Sequence, residues 1–403
     1  MTNRFNYRAV ANISLSNISH NLNLIKNYIS PNSKVLAMIK ANAYGHGLFE
    51  VANSLEKADM LGMACCSEAY TLRENKVMQD IILMQGVSYL DELEYCFNNN
   101  CQIVINTKYH VELINRFSKK LDSKSNKKLI IWLKINSGMN RLGFSLDEFY
   151  HALNELSGIS IVKVSGFIGH FSNSDDLNKS NITDEQSNKY FKVLNNIPRV
   201  LGSEHVSSKL LVQNKYNFSL CNSAATLFYP HLHHSYIRPG LLLYGACRIT
   251  LEDYLKNKTE FNLDVKHQEK LIHLLSNLKP AMSLYSEVIS KHSISKGDSV
   301  GYGSLYTSEK SSTIVIVGIG YGDGFPREIA KDTKVFINGK LYPIVGSVSM
   351  DMLNVDVGND NINIGDKVEI FGDNISVTTL AKSANTISYT ILTGLSSRVK
   401  VTY

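Results

Sequence analysis

Short apolar runs recur through the first 245 residues of the chain and are separated by stretches with helical periodicity. Continuous apolar runs suit strands that are covered on both faces, as in a parallel sheet. Amphipathic segments such as Asn12–Tyr28 and Asp147–Leu156 lie between them. The runs are Val35–Ile39, Leu61–Cys65, Ile81–Met84, Ile103–Ile105, Leu129–Leu133, Val164–Ile168 and Phe218–Cys221, with an eighth inside Tyr236–Tyr244. Eight strands alternating with helices predict the α/β class and a (β/α)8 TIM-type barrel.

The pattern changes after Tyr244. The polar stretch Thr250–Leu278 is interpreted as an extended connection or a helical insertion. Short β-branched strands follow, and Asn338-Gly339 is a strong hairpin signal. The predicted strands are Ser283–Ile289, Thr313–Gly318, Lys334–Ile337, Tyr342–Val345, Leu353–Val357 and Lys367–Phe371. We therefore expect a barrel over 1–245 and a mostly β C-terminal domain over 246–403.

Composition excludes several classes of protein. The formal net charge of +6 is small for 403 residues, and no basic stripe interleaved with aromatic residues is present, so nucleic-acid binding is not expected. No run reaches the roughly 18 apolar residues of a membrane helix. The polar segment Met1–Val10 lacks the apolar centre of a signal peptide. These features predict a cytoplasmic protein with no membrane partner.

Cysteine and histidine spacing gives no sign of a metal site. The six cysteines contain no C-x-x-C pair, and the adjacent Cys65 and Cys66 are predicted to be buried free thiols. The histidine-rich segment His231–His234 lacks an acidic or cysteine partner at ligand spacing. No metal is therefore expected.

Polar side chains follow several of the predicted barrel strands, where an active site of this fold is built. Lys40 follows the first run, and burial there would favour the neutral, nucleophilic amine that Schiff-base chemistry needs. His170 follows the sixth run and Ser223 the seventh. Arg141 and Arg238 could each hold an anionic group, because a guanidinium stays charged at any working pH.

Each residue also has a simpler interpretation. Lys40 could be a solvated lysine at the end of a strand, since lysines mostly stay exposed. Ser223 could only cap a helix rather than hold a phosphate, and Arg141 could pair with an acid in its loop. The positions at matching ends of separate strands favour a shared site, in which Gly240 would let backbone amides approach a phosphate.

The segment Val35–Gly47 resembles the pyridoxal-phosphate attachment signature of alanine racemases, an apolar run followed by Lys-Ala-Asn-Ala-Tyr-Gly-His-Gly. The resemblance covers nearly the whole chain. Further matching segments follow in order, namely Ser137–Gly143, Asn222–Ala224, Arg238–Gly240, Tyr244-Gly245, Gly301–Gly303, Gly320–Gly324 and Ser349–Asp351. This chain differs at Asn140, where many members have glycine, at Leu241, where isoleucine is common, and at Ser349, often cysteine or threonine.

The resemblance implies a homodimer that interconverts L-alanine and D-alanine with pyridoxal 5'-phosphate and supplies D-alanine for cell-wall peptidoglycan. Lys40 would bind the cofactor and act as one base. Tyr302 of the other subunit would act as the base on the opposite face of the substrate. The phosphate would be held by Tyr44, Ser223, Gly240, Leu241 and Tyr389.

The resemblance also assigns the remaining groups. Arg238 would contact the pyridine nitrogen of the cofactor, and His170 would support the link between Arg238 and Tyr302. Lys134 matches a lysine that is carbamylated in many members. The substrate would be contacted by Arg141, Met350, Asp351 and Tyr321, and Arg141 would also contact the cofactor phenolate.

Three other functions remain open from the sequence. One is a racemase of the same fold with another or broader amino-acid preference. Another is a decarboxylase that combines a barrel with a β domain, although Tyr302 and the position of the barrel first in the chain argue against it. The third is a protein that holds pyridoxal phosphate without turnover, which would need neither the β domain nor Tyr302.

Overall fold

The computed structural model describes residues 7–121, 126–200, 215–261 and 263–403. Within them, parallel strands form an eight-stranded sheet in which neighbours in sequence pair directly. The eighth strand pairs with the first. Just beyond the eighth strand, Arg238 N donates to Cys221 O at 2.9 Å, which connects it to the chain that follows the seventh strand. The strands are Lys34–Met38, Met60–Met63, Ile81–Leu83, Cys101–Ile105, Leu129–Lys134, Val162–Ile168, Asn217–Ser219 and Tyr236–Ile237. The predicted TIM-type barrel is confirmed.

Helices cover the outside of this barrel. Their buried faces pack on strands that are themselves almost fully buried, which explains the continuous apolar runs. The main helices are Leu15–Tyr28, Leu48–Ser54, Cys66–Glu74, Leu90–Asn98, Lys108–Ser118, Leu146–Ser157, Ser180–Asn195, Ile197–Val200 and Ser223–Phe228. None of the described helices is both long and apolar enough to cross a membrane.

The C-terminal half is mostly β, as predicted. The long strand Met282–Ile294 pairs with Lys367–Phe371 through its first part and with Ser312–Val317 through its second, so six antiparallel strands close into a ring. The other strands of the ring are Lys334–Ile337, Lys340–Val345 and Leu353–Gly358. Asn338 and Gly339 have φ of 46° and 86°, the left-handed values that a tight hairpin requires.

The first described strand, Val10–Ile13, lies in the β domain. Strand Val10–Ile13, within the segment 1–245 assigned to the barrel from sequence, pairs antiparallel with Met282–Ile294 and parallel with Lys400–Thr402. Its inward side chains Ala11 and Ile13 belong to the core of the β domain. The β domain therefore contains chain from both sides of the barrel.

The segment Thr250–Leu278 is a helical insertion, one of the two interpretations offered by its sequence. Helices Leu251–Lys256 and Val265–Asn277 pack against the barrel. Asp253 forms a capping box with Thr250 at the start of the first helix. Its carboxylate also accepts a hydrogen bond from Lys382 Nζ at 3.0 Å, which links the insertion to helix Val377–Ser383 of the β domain. Helix Ser388–Thr393 follows and carries Tyr389.

Candidate active site

Lys40 lies just beyond the first barrel strand and begins an unusual turn of backbone. The next four residues, Ala41 to Tyr44, all have φ between 52° and 55°, which is one turn of left-handed helix. Each L-residue in this conformation costs about 1–2 kcal/mol, because its Cβ crowds the following carbonyl. Strain of this kind persists only where surrounding contacts impose it.

Those contacts surround the turn. Glu68 accepts hydrogen bonds from Ala41 N at 2.6 Å and from Ala64 N at 2.8 Å. Asn42 Oδ1 accepts from Leu48 N at 2.8 Å. The buried His46 ring uses Nδ1 toward Ala43 O and Tyr44 O, at 3.1 and 2.9 Å, so this nitrogen carries the proton. The turn thus fixes Lys40 and Tyr44 relative to the barrel.

The barrel mouth concentrates positive charge. Burial, followed by the charges of Arg238, Arg141 and Lys40, lowers the pKa of Lys134 to about 8. Burial and Arg141 likewise lower the pKa of Lys40, while Glu68 opposes the shift. Four cations facing one carboxylate make a site for an anionic ligand, and a lowered pKa makes an amine nucleophilic near neutral pH.

Arg238 is buried at the centre of this mouth. Its guanidinium donates to Ser219 Oγ at 2.6 Å, to Gly169 O at 2.7 Å and to His170 Nδ1 at 3.2 Å. An arginine can only donate, so His170 Nδ1 accepts and the proton of the neutral ring lies on Nε2. Burial and Arg238 hold the pKa of His170 well below its usual value. His170 is therefore neutral.

The residues predicted to hold a phosphate lie together. Gly240 N donates to Ser223 Oγ at 2.9 Å, while Asn222, not Ser223, caps the helix by accepting from Ala225 N. A Cβ on Gly240 would lie 2.3 Å from Tyr44 Oη, so only glycine permits this approach. The Tyr44 ring lies 5.6 Å from that of Tyr389.

A cavity of about 470 Å³ opens beside these residues, between the barrel and the β domain. Ser223, Leu241 and Tyr389 line it, together with Asp175 and Arg248, which form an ion pair at 2.8 Å. Lys40, Arg141 and Arg238 do not line it. The cavity therefore extends the predicted phosphate site away from the barrel mouth.

Asn136 organises the loop that carries Arg141. Its side-chain oxygen accepts from Gly138 N at 3.2 Å and from Asn140 N at 3.0 Å. Asn140 has φ of 55°, which explains why asparagine can replace the glycine found in many relatives of the motif. Within the described part of the chain, the Arg141 guanidinium makes no hydrogen bond or ion pair, so it does not pair with a loop acid.

The predicted residues of the β domain form a second group. Tyr321 N donates to Ser349 O at 3.1 Å and Gly322 N to Met350 O at 2.8 Å, which joins two of the matching loops. Ser347 Oγ donates to Tyr302 O at 2.9 Å, which joins the loop that carries Tyr302 to the chain just before Ser349. The Tyr302 side chain is 78% exposed.

Among the described residues, no hydrogen bond or ion pair joins Tyr302, Tyr321, Met350 or Asp351 to Lys40. The structure therefore brings together the predicted cofactor residues and, elsewhere, the predicted substrate loops.

Several supporting residues were not identified from the sequence. Arg398 bridges Asp323 at 3.1 Å and Asp351 at 2.7 Å, and so connects two of the loops. Glu68 and Asn136 hold the Lys40 turn and the Arg141 loop through backbone amides. Asp323 and Asp351 lay within noted motifs. Arg398, Glu68 and Asn136 did not, because they are distant in sequence from the groups they hold or carry no spacing signal.

Comparisons with known proteins agree with the geometry. The profile of the alanine racemase N-terminal domain matches residues 13–248, and that of the C-terminal domain matches 281–403. The alanine racemase of Haemophilus influenzae is 35% identical over 398 residues, covering 98% of each chain. That of Vesicomyosocius okutanii is 34% identical over 391 residues, covering 97% of each.

Solved structures show the same relationship. The alanine racemase from Acinetobacter baumannii has a TM-score of 0.81 and 32% identity, covering 98% of this chain and 99% of its own. The biosynthetic alanine racemase from Pseudomonas aeruginosa has a TM-score of 0.81 and 31% identity, covering 99% of each. The resemblance seen in the motifs is confirmed, and this chain belongs to the alanine racemase family.

Proposed function

We propose that this protein interconverts L-alanine and D-alanine as a homodimer with pyridoxal 5'-phosphate, and that its D-alanine supplies cell-wall peptidoglycan. The observation that supports this most is the position of Lys40. Its amine has a lowered pKa, stands near the cations Arg141 and Arg238, and is fixed by a strained turn that also carries Tyr44. Family membership supports the reaction.

The residues present fit the cofactor. A phosphate suits the Ser223 hydroxyl, the Gly240 backbone and the hydroxyls of Tyr44 and Tyr389, where a Cβ on Gly240 would leave no room. An unprotonated ring nitrogen suits the Arg238 guanidinium, which stays charged because its pKa, although lowered by burial, is still about 10. When bound, the cofactor would withdraw electrons from the substrate Cα and so ease loss of its proton.

Lys40 would serve two purposes. Its amine would hold the cofactor covalently through the aldehyde. Once displaced by the amino group of the substrate, Lys40 Nζ would take or return the Cα proton on one face. The lowered pKa of Lys40 favours attack of its amine on the aldehyde, because more of the amine is neutral. It also favours transfer of the Cα proton, which is most efficient when the pKa of the base lies near the working pH.

Racemisation needs a second base on the other face, and Tyr302 of the partner subunit would supply it. The ring is exposed in one chain and lies in a surface with exposed Leu305 and Met350. Exposed apolar groups of this kind are typical of protein interfaces. The Nε2 proton of His170 would hydrogen-bond to the tyrosine oxygen and favour its phenolate form.

The substrate carboxylate would lie between the two groups of residues. On the barrel side, the Arg141 guanidinium makes no hydrogen bond or ion pair with any described residue and so remains available to a carboxylate. Tyr321, Met350 and Asp351 would approach from the β domain, where Arg398 fixes Asp351 at 2.7 Å.

Lys134 would be carbamylated. A pKa of about 8 leaves a substantial neutral fraction of its amine at neutral pH. Addition of carbon dioxide to the neutral amine forms a carbamate and releases one proton. Counted from the charged amine, two protons leave, so a cation becomes an anion beside Arg141. Protein equilibrated with ¹³C-bicarbonate should give one carbamate resonance that is absent in Lys134→Met, and its presence in that variant would contradict the assignment.

Subunit mixing tests the shared site. Lys40→Ala and Tyr302→Phe should each be inactive as pure dimers. If Tyr302 acts across the interface, each mixed dimer contains one intact site, and an equal mixture should recover about a quarter of wild-type activity. No recovery would mean that Lys40 and Tyr302 act within one chain.

Tyr306→Phe is the matched control, because it removes from the same region a hydroxyl that donates to Asp356 at 2.7 Å and also hydrogen-bonds with Ser308. This variant should keep wild-type turnover alone and in mixtures. If it lost activity as fully as Tyr302→Phe, the loss would reflect damage to the β domain rather than removal of a base.

A further inference from the structure

Three free cysteines form a cluster on the side of the barrel. Cys66 begins helix Cys66–Glu74, Cys96 lies in the last turn of helix Leu90–Asn98, and Cys101 begins the fourth barrel strand. The Cys96 thiol hydrogen-bonds with both Cys66 and Cys101. All three are buried, with exposures of 8%, 0% and 2% in chain order.

The turn between helix and strand brings Cys96 and Cys101 together. Asn100 takes φ of 52° there, so the chain reverses within two residues and returns Cys101 toward the helix. Cys101 Sγ also contacts Asn99 O at 3.6 Å. The pair is therefore close in sequence as well as in space, and joining it closes only a short loop.

Arg73 distinguishes Cys101 from Cys66. Its guanidinium is fixed by bonds to Asn99 O and Gln79 O, both at 3.1 Å. The hydrogen bond from Cys96 and the charge of Arg73 lower the pKa of Cys101, although burial opposes them. A neighbouring cation favours the thiolate, which is the form that reacts with oxidants.

No cation among the residues that the structure describes acts on Cys66 in this way. Its bond with Cys96 lowers its pKa, but burial and the carboxylates of Glu92 and Asp91 oppose the shift. Packing alone accounts for a buried free cysteine, which behaves as a small apolar residue. It does not account for a fixed guanidinium beside one thiol of a bonded pair.

We propose that Cys96 and Cys101 form a reversible disulfide on exposure to hydroperoxides, with Cys101 as the attacking thiolate and Cys96 as the resolving thiol. The Cys101 sulfur attacks one peroxide oxygen, the O–O bond breaks, and hydroxide leaves as a sulfenic acid forms. The Cys96 sulfur then attacks Cys101, the S–O bond breaks, and its own proton leaves with the oxygen as water. Two thiols lose two electrons, and hydrogen peroxide is reduced to two waters.

Peptide mapping of the wild-type holoenzyme distinguishes the possible bonds. Trypsin places Cys96 and Cys101 in one peptide, 77–108, and Cys66 in another, 58–73. After limiting hydrogen peroxide and alkylation, peptide 77–108 should lose two hydrogen atoms and be restored by dithiothreitol. It should do so before Cys221 oxidises, since burial raises the pKa of that thiol to about 12.

A cross-link between peptides 58–73 and 77–108 would overturn the assignment, as would oxidation of Cys221 first. In Cys96→Ser, dimedone should trap a sulfenic acid on Cys101, and an adduct on Cys66 would contradict the proposal. Cys66→Ser is the matched control and should form the disulfide at the wild-type rate. In Arg73→Gln the reaction should slow, because a smaller fraction of Cys101 is thiolate, and the higher nucleophilicity of a less acidic thiol offsets this loss only in part.

Discussion

The left-handed turn after Lys40 can be tested by relieving one of its residues. Ala41 has φ of 53° and an exposed side chain, so replacing it by glycine removes the steric penalty without opening a cavity. Its amide would still donate to Glu68. Ala41→Gly should therefore change backbone strain and chain entropy, and little else.

The expected size follows from two opposing terms. Left-handed alanine costs about 1–2 kcal/mol, which glycine recovers. Glycine loses about 0.5–1 kcal/mol more conformational entropy on folding. Ala384 provides the control, because its φ is −91° at the end of helix Val377–Ser383, where Ala384→Gly brings only the entropic loss. The difference between the variants isolates the strain and should be about 1–2 kcal/mol in favour of Ala41→Gly.

The assay is equilibrium denaturation in urea, with the two variants and the wild type compared at equal protein concentration. Ala41→Gly should have the higher midpoint of the two variants. Equal midpoints, or a lower one for Ala41→Gly, would refute the claim that this turn stores strain. A freer turn should also position Lys40 less well, so we expect kcat to fall while stability rises.

The remaining predictions concern single residues of the site. Gly240→Ala should weaken binding of pyridoxal phosphate about tenfold or more, as measured by equilibrium dialysis. Its Cβ would meet Tyr44 Oη at 2.3 Å, and an overpacked site costs about 1–3 kcal/mol. The control Gly158→Ala, whose nearest contact would be 3.4 Å, should bind the cofactor normally. In buffer free of carbon dioxide, Lys134→Met should raise the melting temperature at pH 7 and much less at pH 10. Lys134 has a pKa of about 8 in the folded protein and a higher one in the unfolded chain, so burying its charge destabilises the fold. This destabilisation is complete below pH 8 and fades as pH rises toward 10.5. A gain in melting temperature that did not depend on pH would contradict this reasoning.

The barrel could be predicted because its signals are local. Each buried parallel strand is a continuous apolar run, and the observed strands fall on the predicted runs. The strand within Tyr236–Tyr244 proved short, ending at Ile237, because Pro239 and Gly240 then turn the chain toward the phosphate residues. The placement of Val10–Ile13 in the β domain could not be foreseen, since its partners lie some hundreds of residues away in sequence.

The site was predicted in part. Lys40, Arg238 and Ser223 follow strands whose ends meet at one mouth, so spacing was enough to group them. The neutral state of His170 depends on burial and on the direction of the hydrogen bond from Arg238, which no sequence pattern reveals. The bridge of Arg398 between Asp323 and Asp351 likewise depends on how three distant loops pack.

Proton exchange at Cα tests the central claim most directly. Purified holoenzyme supplied separately with L-alanine, L-serine, L-lysine and L-ornithine in deuterated water should convert only alanine, giving D-alanine that carries deuterium at Cα. Lys40→Ala should lose this conversion together with the visible absorbance of covalently bound cofactor. Release of carbon dioxide, or absence of deuterium from the product, would contradict the account, and comparable conversion of the larger amino acids would replace it with a broad-specificity racemase.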